Sequence, residues 1–347
     1  MKPWLLAAML AAGGCAGAPP LEEIRLPPGF EISVYARDVP KARSLALGSR
    51  GTLFVGGKEE SVYAVPPGGG SAYVIASGLQ EPHGVAFRHG ALYVAERTRI
   101  LRYDGIEERL AAPPAPVVVV DDLPRYKHHG LRTLRFGPDG LLYVPVGFPC
   151  NVCLPEEKYG VISRLDVSSP KPSREGLARG VRNSVGYDWH PRTGVLWFTD
   201  NGRDLLGDNI PSDELNHATQ AGQHFGCPGC HPGEIIDKEF GAPNACAESR
   251  APAVKLGPHV AALGLHFYTG DMFPAEYKNE LFIAQHGSWN RSNPLGYRIG
   301  LVHVAADGSY ASGQRIFAEG FLQGRQAWGR PADLLQLPDG SLLVSDD

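Results

Sequence analysis

One pattern occurs six times along this chain: a turn followed by a short apolar strand. The copies are "RGTLFVGG" from Arg50, "HGALYVAE" from His89, "DGLLYVPVG" from Asp139, "TGVLWFTDNG" from Thr193, "KNELFIAQHG" from Lys278 and "DGSLLVSDD" from Asp339. Most follow another short strand, such as "ARSLAL", "PHGVAF" or "LRTLRF", and several precede a third, such as "SVYAV", "RILRY" or "VISRL". Self-similar strand units separated by turns are the mark of a radial or solenoid architecture. A small antiparallel sheet per unit, closed into a ring, protects the strand edges that an open sheet would leave bare. The repeat therefore predicts an all-β chain folded as a six-bladed β-propeller. A large β-sandwich is the competing arrangement, and six copies of strand, turn and strand argue against it.

The last copy ends at Asp347, so the outer strands of the sixth blade are expected from the N-terminal segment near "FEISVYA", or from chain beyond Asp347. The interval between Leu196 and Leu281 is the longest between motif leucines and predicts an insertion at about 205–260 within a single domain spanning 19–347. Segments of that length are usually functional or cover a site. The 43 glycines and 30 prolines punctuate apolar runs without clustering, which fits many short strands and turns.

Residues 1–18 read as an export signal: Lys2 precedes an apolar run from Trp4 to Ala12 that is too short to cross a bilayer. Two endings are open, a cut after the small residues Ala16, Gly17 and Ala18, or a lipoprotein-type cut before Cys15, whose lipid anchor would be the chain's one tie to a membrane. The expected location is periplasmic or extracellular. A formal charge of −4, with no basic stripe, excludes nucleic acid as a partner class. In an oxidising compartment Cys150, Cys153, Cys227, Cys230 and Cys246 are expected to form disulfides, leaving one unpaired.

Cys227, Cys230 and His231 stand in the C-x-x-C-H order that attaches c-type haem. We read against it. Met272 is the only downstream methionine that could act as a distal ligand, and no helical surround accompanies the motif. A zinc site from the two C-x-x-C pairs is weaker still.

In a propeller, polar residues just before or after the motif strands converge at one mouth of the central channel. Here they include His128 and His129, Arg182 and Asn183, Asp200 to Gly202, Gln285 to Arg291, and Arg330 with Asp333.

These stretches, above all "HGLRTLRFGPDGLLYVPVG", "VRNSVGYDWHPRTGVLWFTDNGRD", "LGPHVAALGLHFYTG" and "QHGSWNRSNPLGYR", resemble the pyrroloquinoline quinone-dependent glucose/sorbosone dehydrogenases, especially their sorbosone dehydrogenase-like branch. The resemblance implies a six-bladed propeller that oxidises a sugar, sugar aldehyde or related polyol and passes electrons to an external acceptor. It implies two cofactors, the quinone and Ca²⁺. The quinone is flat and carries three carboxylates, which suits guanidinium groups; Arg182, Asn183 and Arg330 match the family's binding positions, and Arg291 is the candidate for a further cation. The backbone carbonyls of Gly202 and Arg203 match its calcium donors, as suits a hard cation. His129 matches the base that takes the hydroxyl proton. Where the glucose-oxidising branch has an aspartate that orients this base, the present chain has Phe148.

The resemblance also suggests a Cys230–Cys246 disulfide, with Cys150–Cys153 as a tight second bridge; on sequence alone Cys227–Cys246 is equally legal. Two rival functions stay open: a calcium-dependent lactonase-type hydrolase, which needs carboxylates converging on the ion, and a ligand-binding propeller without catalysis.

Overall fold

The computed structural model describes residues 4–9 and 18–347, with side chains from residue 18 onward. The chain is all-β, with three single-turn 3-10 helices as its only helical elements among the described residues. The first sheet comprises Ala42–Leu47, Leu53–Gly57, Val62–Val65 and Tyr73–Ala76; the second, Gly84–Arg88, Ala91–Ala95, Ile100–Asp104 and Val117–Val120. The third contains Arg135–Phe136, Leu142–Val146, Val161–Leu165 and Glu175–Arg179, with Gln223–His224 added in parallel at its outer edge. The fourth has Tyr187–Trp189, Leu196–Asp200, Ser212–Ala218 and Val254–Pro258, and the fifth Ala262–Phe267, Leu281–Gln285, Arg298–Val302 and Arg315–Glu319. The sixth begins with Pro331–Gln336 and Leu342–Asp346.

The arrangement is that of a β-propeller, with a difference in the count. Five sheets have four strands, whereas the repeat predicts six blades; the unit of "DGLLYVPVG" departs by recruiting a fifth, parallel strand. Each repeated motif forms the second strand of its sheet, and all five positions of each such strand are buried. Strict alternation is not needed there, because a strand packed between neighbouring sheets hides both faces.

Polar links carry the ring from sheet to sheet. Thr133 Oγ1 donates to Val185 O at 2.6 Å, joining the third and fourth sheets, and Thr199 Oγ1 donates to Leu263 O at 2.7 Å, joining the fourth and fifth. The first and sixth meet through Leu45 N and Asp333 Oδ2 at 3.0 Å, and through Ser345 Oγ and Arg43 O at 2.5 Å. Arg135 crosses the interior from the third sheet, pairing with Asp333 Oδ1 at 2.9 Å and donating to Leu265 O at 3.3 Å. A partly buried guanidinium with these partners ties three sheets together.

The outermost strand of the sixth sheet is Phe30–Val34, from "FEISVYA", the first of the two sources the repeat left open. Between it and Leu342–Asp346 lies Trp4–Met9, parallel to both, inside the segment read as an export signal. Cys15, with Ala16 and Gly17 of the alternative cleavage site, lies outside the described residues. The 205–260 insertion is shorter than the spacing implies, because Ser212–Ala218 and Val254–Pro258 are strands of the fourth sheet itself. The true excursion is 219–253, which carries the hairpin Cys230–His231 with Ile235–Ile236 and the disulfide Cys230–Cys246. A second disulfide joins Cys150 and Cys153, and Cys227 is a free, buried thiol.

Candidate active site

Residues in and beside the first, third, fourth, fifth and sixth sheets wall a cavity of about 680 Å³. His129, Arg182, Asn183, Gly202 and Arg330 line it together, so the sequence-predicted residues from the third, fourth and sixth sheets share one chamber. Arg291 is not on the wall. Its Nη1 donates to Asp208 O and its Nε to Asn293 O at 3.0 Å, because the loop after the fifth motif strand folds back on the 204–210 loop. As a cavity cation it is replaced by residues of the first sheet.

His129 sits in a left-handed backbone conformation, φ 47°, rare for a residue with a β-carbon. Two contacts fix it there. Its Nδ1 lies 3.0 Å from the carbonyl oxygen of Phe148, and its Cβ packs where a side chain on Gly147 would otherwise be, 2.6 Å from an added β-carbon. A carbonyl can only accept, so Nδ1 carries the proton and Nε2 keeps its lone pair. Burial, then the charge of Arg182 and the adjacent His128, push the His129 pKa down to about 2. The ring is thus neutral at ordinary pH. The Phe148 side chain is buried and turned away, so the position where an aspartate was expected contributes through its main chain.

Arg182 is held by protein. Its Nε donates to Asn151 O at 2.7 Å, Nη1 to Asn201 O at 3.0 Å, and Nη2 to Asn151 Oδ1 and Asp204 Oδ2 at 2.8 and 3.0 Å. Four of the five guanidinium hydrogens are therefore engaged. The backbone N–H groups of Arg182 and Asn183 both donate to Asp200, at 2.8 and 2.6 Å. Burial, opposed by those two N–H groups, lifts the Asp200 pKa to about 7. Arg330 is the opposite case. Its guanidinium lies 4.9 Å from the centre of the Tyr297 ring and makes no hydrogen bond among the described residues.

Gly202 N donates to Asp213 Oδ1 at 2.9 Å, and the other carboxylate oxygen accepts from Ala261 N at 2.7 Å. Burial raises the Asp213 pKa to about 6 against those donors. A β-carbon on Gly202 would stand 2.9 Å from Pro211 and 3.1 Å from Ser212 O, so only glycine lets the strand pass. Among the described residues, no hydrogen bond reaches the carbonyl oxygens of Gly202 and Arg203. Gly202 faces the cavity, while the Arg203 side chain leaves it to pair with Asp237.

Sequence reasoning missed a second cluster on the same wall. Arg43 pairs with Asp347 Oδ2 at 2.5 Å, His286 Nε2 lies 2.9 Å from the same oxygen, and Lys58 approaches it at 3.5 Å. Burial works to raise the Asp347 carboxyl, but its bond to His286 and the charge of Arg43 hold it far below the usual range. Burial, helped by Arg43, lowers His286 to about 4. The signal was available. Lys41 precedes the first sheet's inner strand as His129 precedes the third's, Arg43 is the second residue of that strand, and Lys58 and Asp347 follow motif strands as Gly202 does.

The wall thus carries five fixed cations, Lys41, Arg43, Lys58, Arg182 and Arg330, against Asp204, Asp213 and Asp347. With His129 and His286 neutral, the chamber has a net positive charge, which suits a flat polyanion. The haem motif is ruled out by its own residues: Cys230 is in a disulfide, Cys227 is buried, and His231 Nε2 pairs with Asp237 at 2.9 Å.

The profile of the TrAA12-like family matches residues 24–319. The chain belongs to the TrAA12-like family. A relative in Borreliella burgdorferi, described only as an uncharacterized protein, is 34% identical over 93% of this chain and 88% of its own length. The pyrroloquinoline quinone-dependent pyranose dehydrogenase of Coprinopsis cinerea is 24% identical over 92% of this chain; the chain spans about half of that protein, 50%. The structure of its quinone domain in holo form superposes with a TM-score of 0.79 at 18% identity, covering 99% of this chain and 97% of that one. A calcium structure of the Trichoderma reesei AA12 enzyme gives 0.81 at 20% identity, with 97% of each chain covered. Within this TrAA12-like chain, the family match covers the loops bearing His129, Arg182, Asn183, Gly202 and Arg291, while Arg330 and Asp347 lie beyond its end.

Proposed function

We propose that the protein is an exported quinoprotein dehydrogenase that oxidises a pyranose, sugar aldehyde or related polyol with pyrroloquinoline quinone and Ca²⁺, handing the electrons to an external acceptor. The observation that carries this reading is the chamber in which a neutral, oriented histidine faces a surplus of fixed cations. Relatives whose names specify the quinone, a pyranose substrate or calcium support it. When bound, the quinone supplies the two-electron acceptor that side chains lack.

The chain's own residues do the rest. Arg330, free of hydrogen-bonded partners among the described residues, offers a forked donor to a carboxylate. The Arg43, Lys41 and Lys58 group adds charge from the facing sheet. Arg182 is already saturated by Asn151, Asn201 and Asp204, so it shapes the wall and lends its field. The Gly202 and Arg203 carbonyls are the donors for calcium. His129 Nε2 takes the hydroxyl proton, its ring fixed by the Phe148 carbonyl.

The five-stranded third sheet counts as a blade in this reading, which makes six in the ring. Two disulfides suit an oxidising compartment, and export with cleavage or lipidation near Cys15 remains part of the proposal. The lactonase alternative is disfavoured because both oxygens of Asp213 and of Asp200 are taken by backbone N–H groups. The test is to load the protein with the quinone and calcium and screen aldoses and sugar aldehydes with a redox dye, alongside His129→Ala. Dye reduction by the wild type and its loss in the variant are expected; no reduction with any substrate overturns the enzymatic reading in favour of a binding propeller.

A further inference from the structure

The excursion 219–253 does more than cross the surface. Its centre is Asp237, a buried carboxylate with four partners. Oδ1 accepts from the backbone N–H of Glu239 at 2.9 Å and of Phe240 at 3.1 Å. Oδ2 faces His231 Nε2 at 2.9 Å and takes the Arg203 guanidinium in an ion pair. The backbone around it is equally fixed: Asp237 N donates to Gly229 O at 2.9 Å and Gly241 N to Asp237 O at 3.0 Å. A β-carbon on Gly241 would stand 2.5 Å from Asp237 O and 2.7 Å from Gly229 O. His231 directly follows Cys230, whose disulfide to Cys246 closes the same loop.

Arg203 is the one partner of Asp237 that lies outside this loop. It belongs to the stretch whose carbonyls are the calcium donors in the reading above. That stretch is pinned at three successive residues: Gly202 N by Asp213 Oδ1 at 2.9 Å, the Arg203 side chain by Asp237, and Asp204 N by Asn151 Oδ1 at 2.9 Å. Gly202 is held by Asp213 of the cavity wall and Asp204 by Asn151, which lies between the bridged Cys150 and Cys153. Arg203 alone is held from the disulfide-bridged excursion.

We infer that Asp237 is a positioning residue for the metal: through Arg203 it fixes the carbonyl pair of Gly202 and Arg203, so that the Cys230–Cys246 loop sets how tightly the cavity holds calcium. The inference rests on the calcium reading proposed above. Two rigid carbonyls bind a hard cation better than two mobile ones, because ordering them at the moment of binding costs affinity. Linkage is reciprocal, so bound calcium in turn rigidifies the loop.

The test uses the full chain holding the quinone, stripped of metal with a chelator, into which calcium chloride is titrated by calorimetry and by the quinone absorption spectrum. Asp237→Asn and Arg203→Leu are each expected to weaken calcium binding about tenfold, and the double variant no further than either single one, as for two residues acting through one contact. Arg203→Leu leaves the other three partners of Asp237 in place, so it reports even if Asp237→Asn fails to fold. Wild-type affinity in Arg203→Leu, or additive losses in the double variant, overturns the inference. A wild-type protein that holds quinone but takes up no calcium removes the calcium reading itself, and this inference with it.

Discussion

The imidazole Nδ1 of His129 lies 3.0 Å from the carbonyl oxygen of Phe148. A main-chain acceptor therefore does the orienting work for which a carboxylate was expected. It fixes the tautomer as an aspartate would, but it brings no negative charge, so its own pull upward on the pKa is outweighed by burial and the Arg182 field, which keep the ring neutral. Substituting the Phe148 side chain should then leave the chemistry intact. Phe148→Leu is expected to retain kcat within about threefold while losing roughly 1 kcal/mol of stability from imperfect packing. His129→Ala should lower kcat/KM by about 10²–10⁴. Gly147→Ala, whose added carbon would meet the His129 Cβ at 2.6 Å, should resemble the His129 variant in kcat. Steady-state kinetics and thermal melts of the three variants check the set; a Phe148→Leu enzyme as inactive as His129→Ala would exclude main-chain orientation.

Arg182 and Arg330 line the same cavity but differ in what they hold. Arg182 is buried, with side-chain bonds to Asn151, Asn201 and Asp204, and removing one partner of such a network typically costs about 3–5 kcal/mol. Arg182→Ala should lower the melting temperature of the ligand-free protein substantially. Arg330→Ala should barely move it, since the lost contact is a ring face worth about 0.5–2 kcal/mol. Quinone affinity should reverse the order: Arg330→Ala loses a charge-assisted bond and weakens binding roughly 10- to 100-fold. Thermal melts without ligand and fluorescence titration with the quinone separate the two.

The repeat made the propeller legible, because a sheet unit that recurs with a leucine at one position leaves few other ways to bury its faces. His129, Arg182, Asn183, Gly202 and Arg330 were legible for the same reason: equivalent places in successive units converge on one mouth. Lys58 and Asp347 occupy those places too, Arg43 stands at the start of the first sheet's inner strand, and all three were passed over because no family motif singles them out. What the sequence could not express was competition for partners. Nothing in "RN" says that Asn151 and Asp204 would claim the Arg182 guanidinium, or that Arg291 would turn to Asp208, since both outcomes depend on loops distant in sequence folding together. The fifth strand of the third sheet has the same origin, with two residues of the excursion pairing alongside Glu175–Arg179.

Asp213 gives a pH signature of known sign. Burial raises its folded pKa to about 6, above the ordinary carboxylate value of 3.8. A raised pKa means that the folded state holds the proton more tightly than the unfolded chain. The associated stability is fully present below pH 3.8 and is lost as pH rises through about 6. Asp213→Asn cannot ionise, so its melting temperature should fall less than that of the wild type between pH 4 and 7, even though the amide leaves one of the two N–H donors, Gly202 or Ala261, without its acceptor. Parallel melts across that range check the slope, and identical slopes would rule out Asp213 as the titrating group.

Cys227 and the Cys230–Cys246 bridge respond differently to loss. The bridge has a sequence separation of 16 and, in the chain-entropy model, a loop of that size contributes about 3 kcal/mol. Cys230→Ser with Cys246→Ser should lower the denaturation midpoint accordingly. Cys227 is buried, and its thiol pKa is pushed well up by burial and by the neighbouring carboxylate of Asp200. A thiolate is the reactive form, so Cys227 should resist alkylation in the native protein and react only on unfolding. Cys227→Ala should therefore cost about 1–2 kcal/mol, as a small buried hydrophobe would. Thiol labelling followed by mass spectrometry, with and without denaturant, reads this directly: one protected thiol in the folded protein is expected, and rapid native labelling at Cys227 would show that the loop around Gly226 opens far more readily than its buried packing allows.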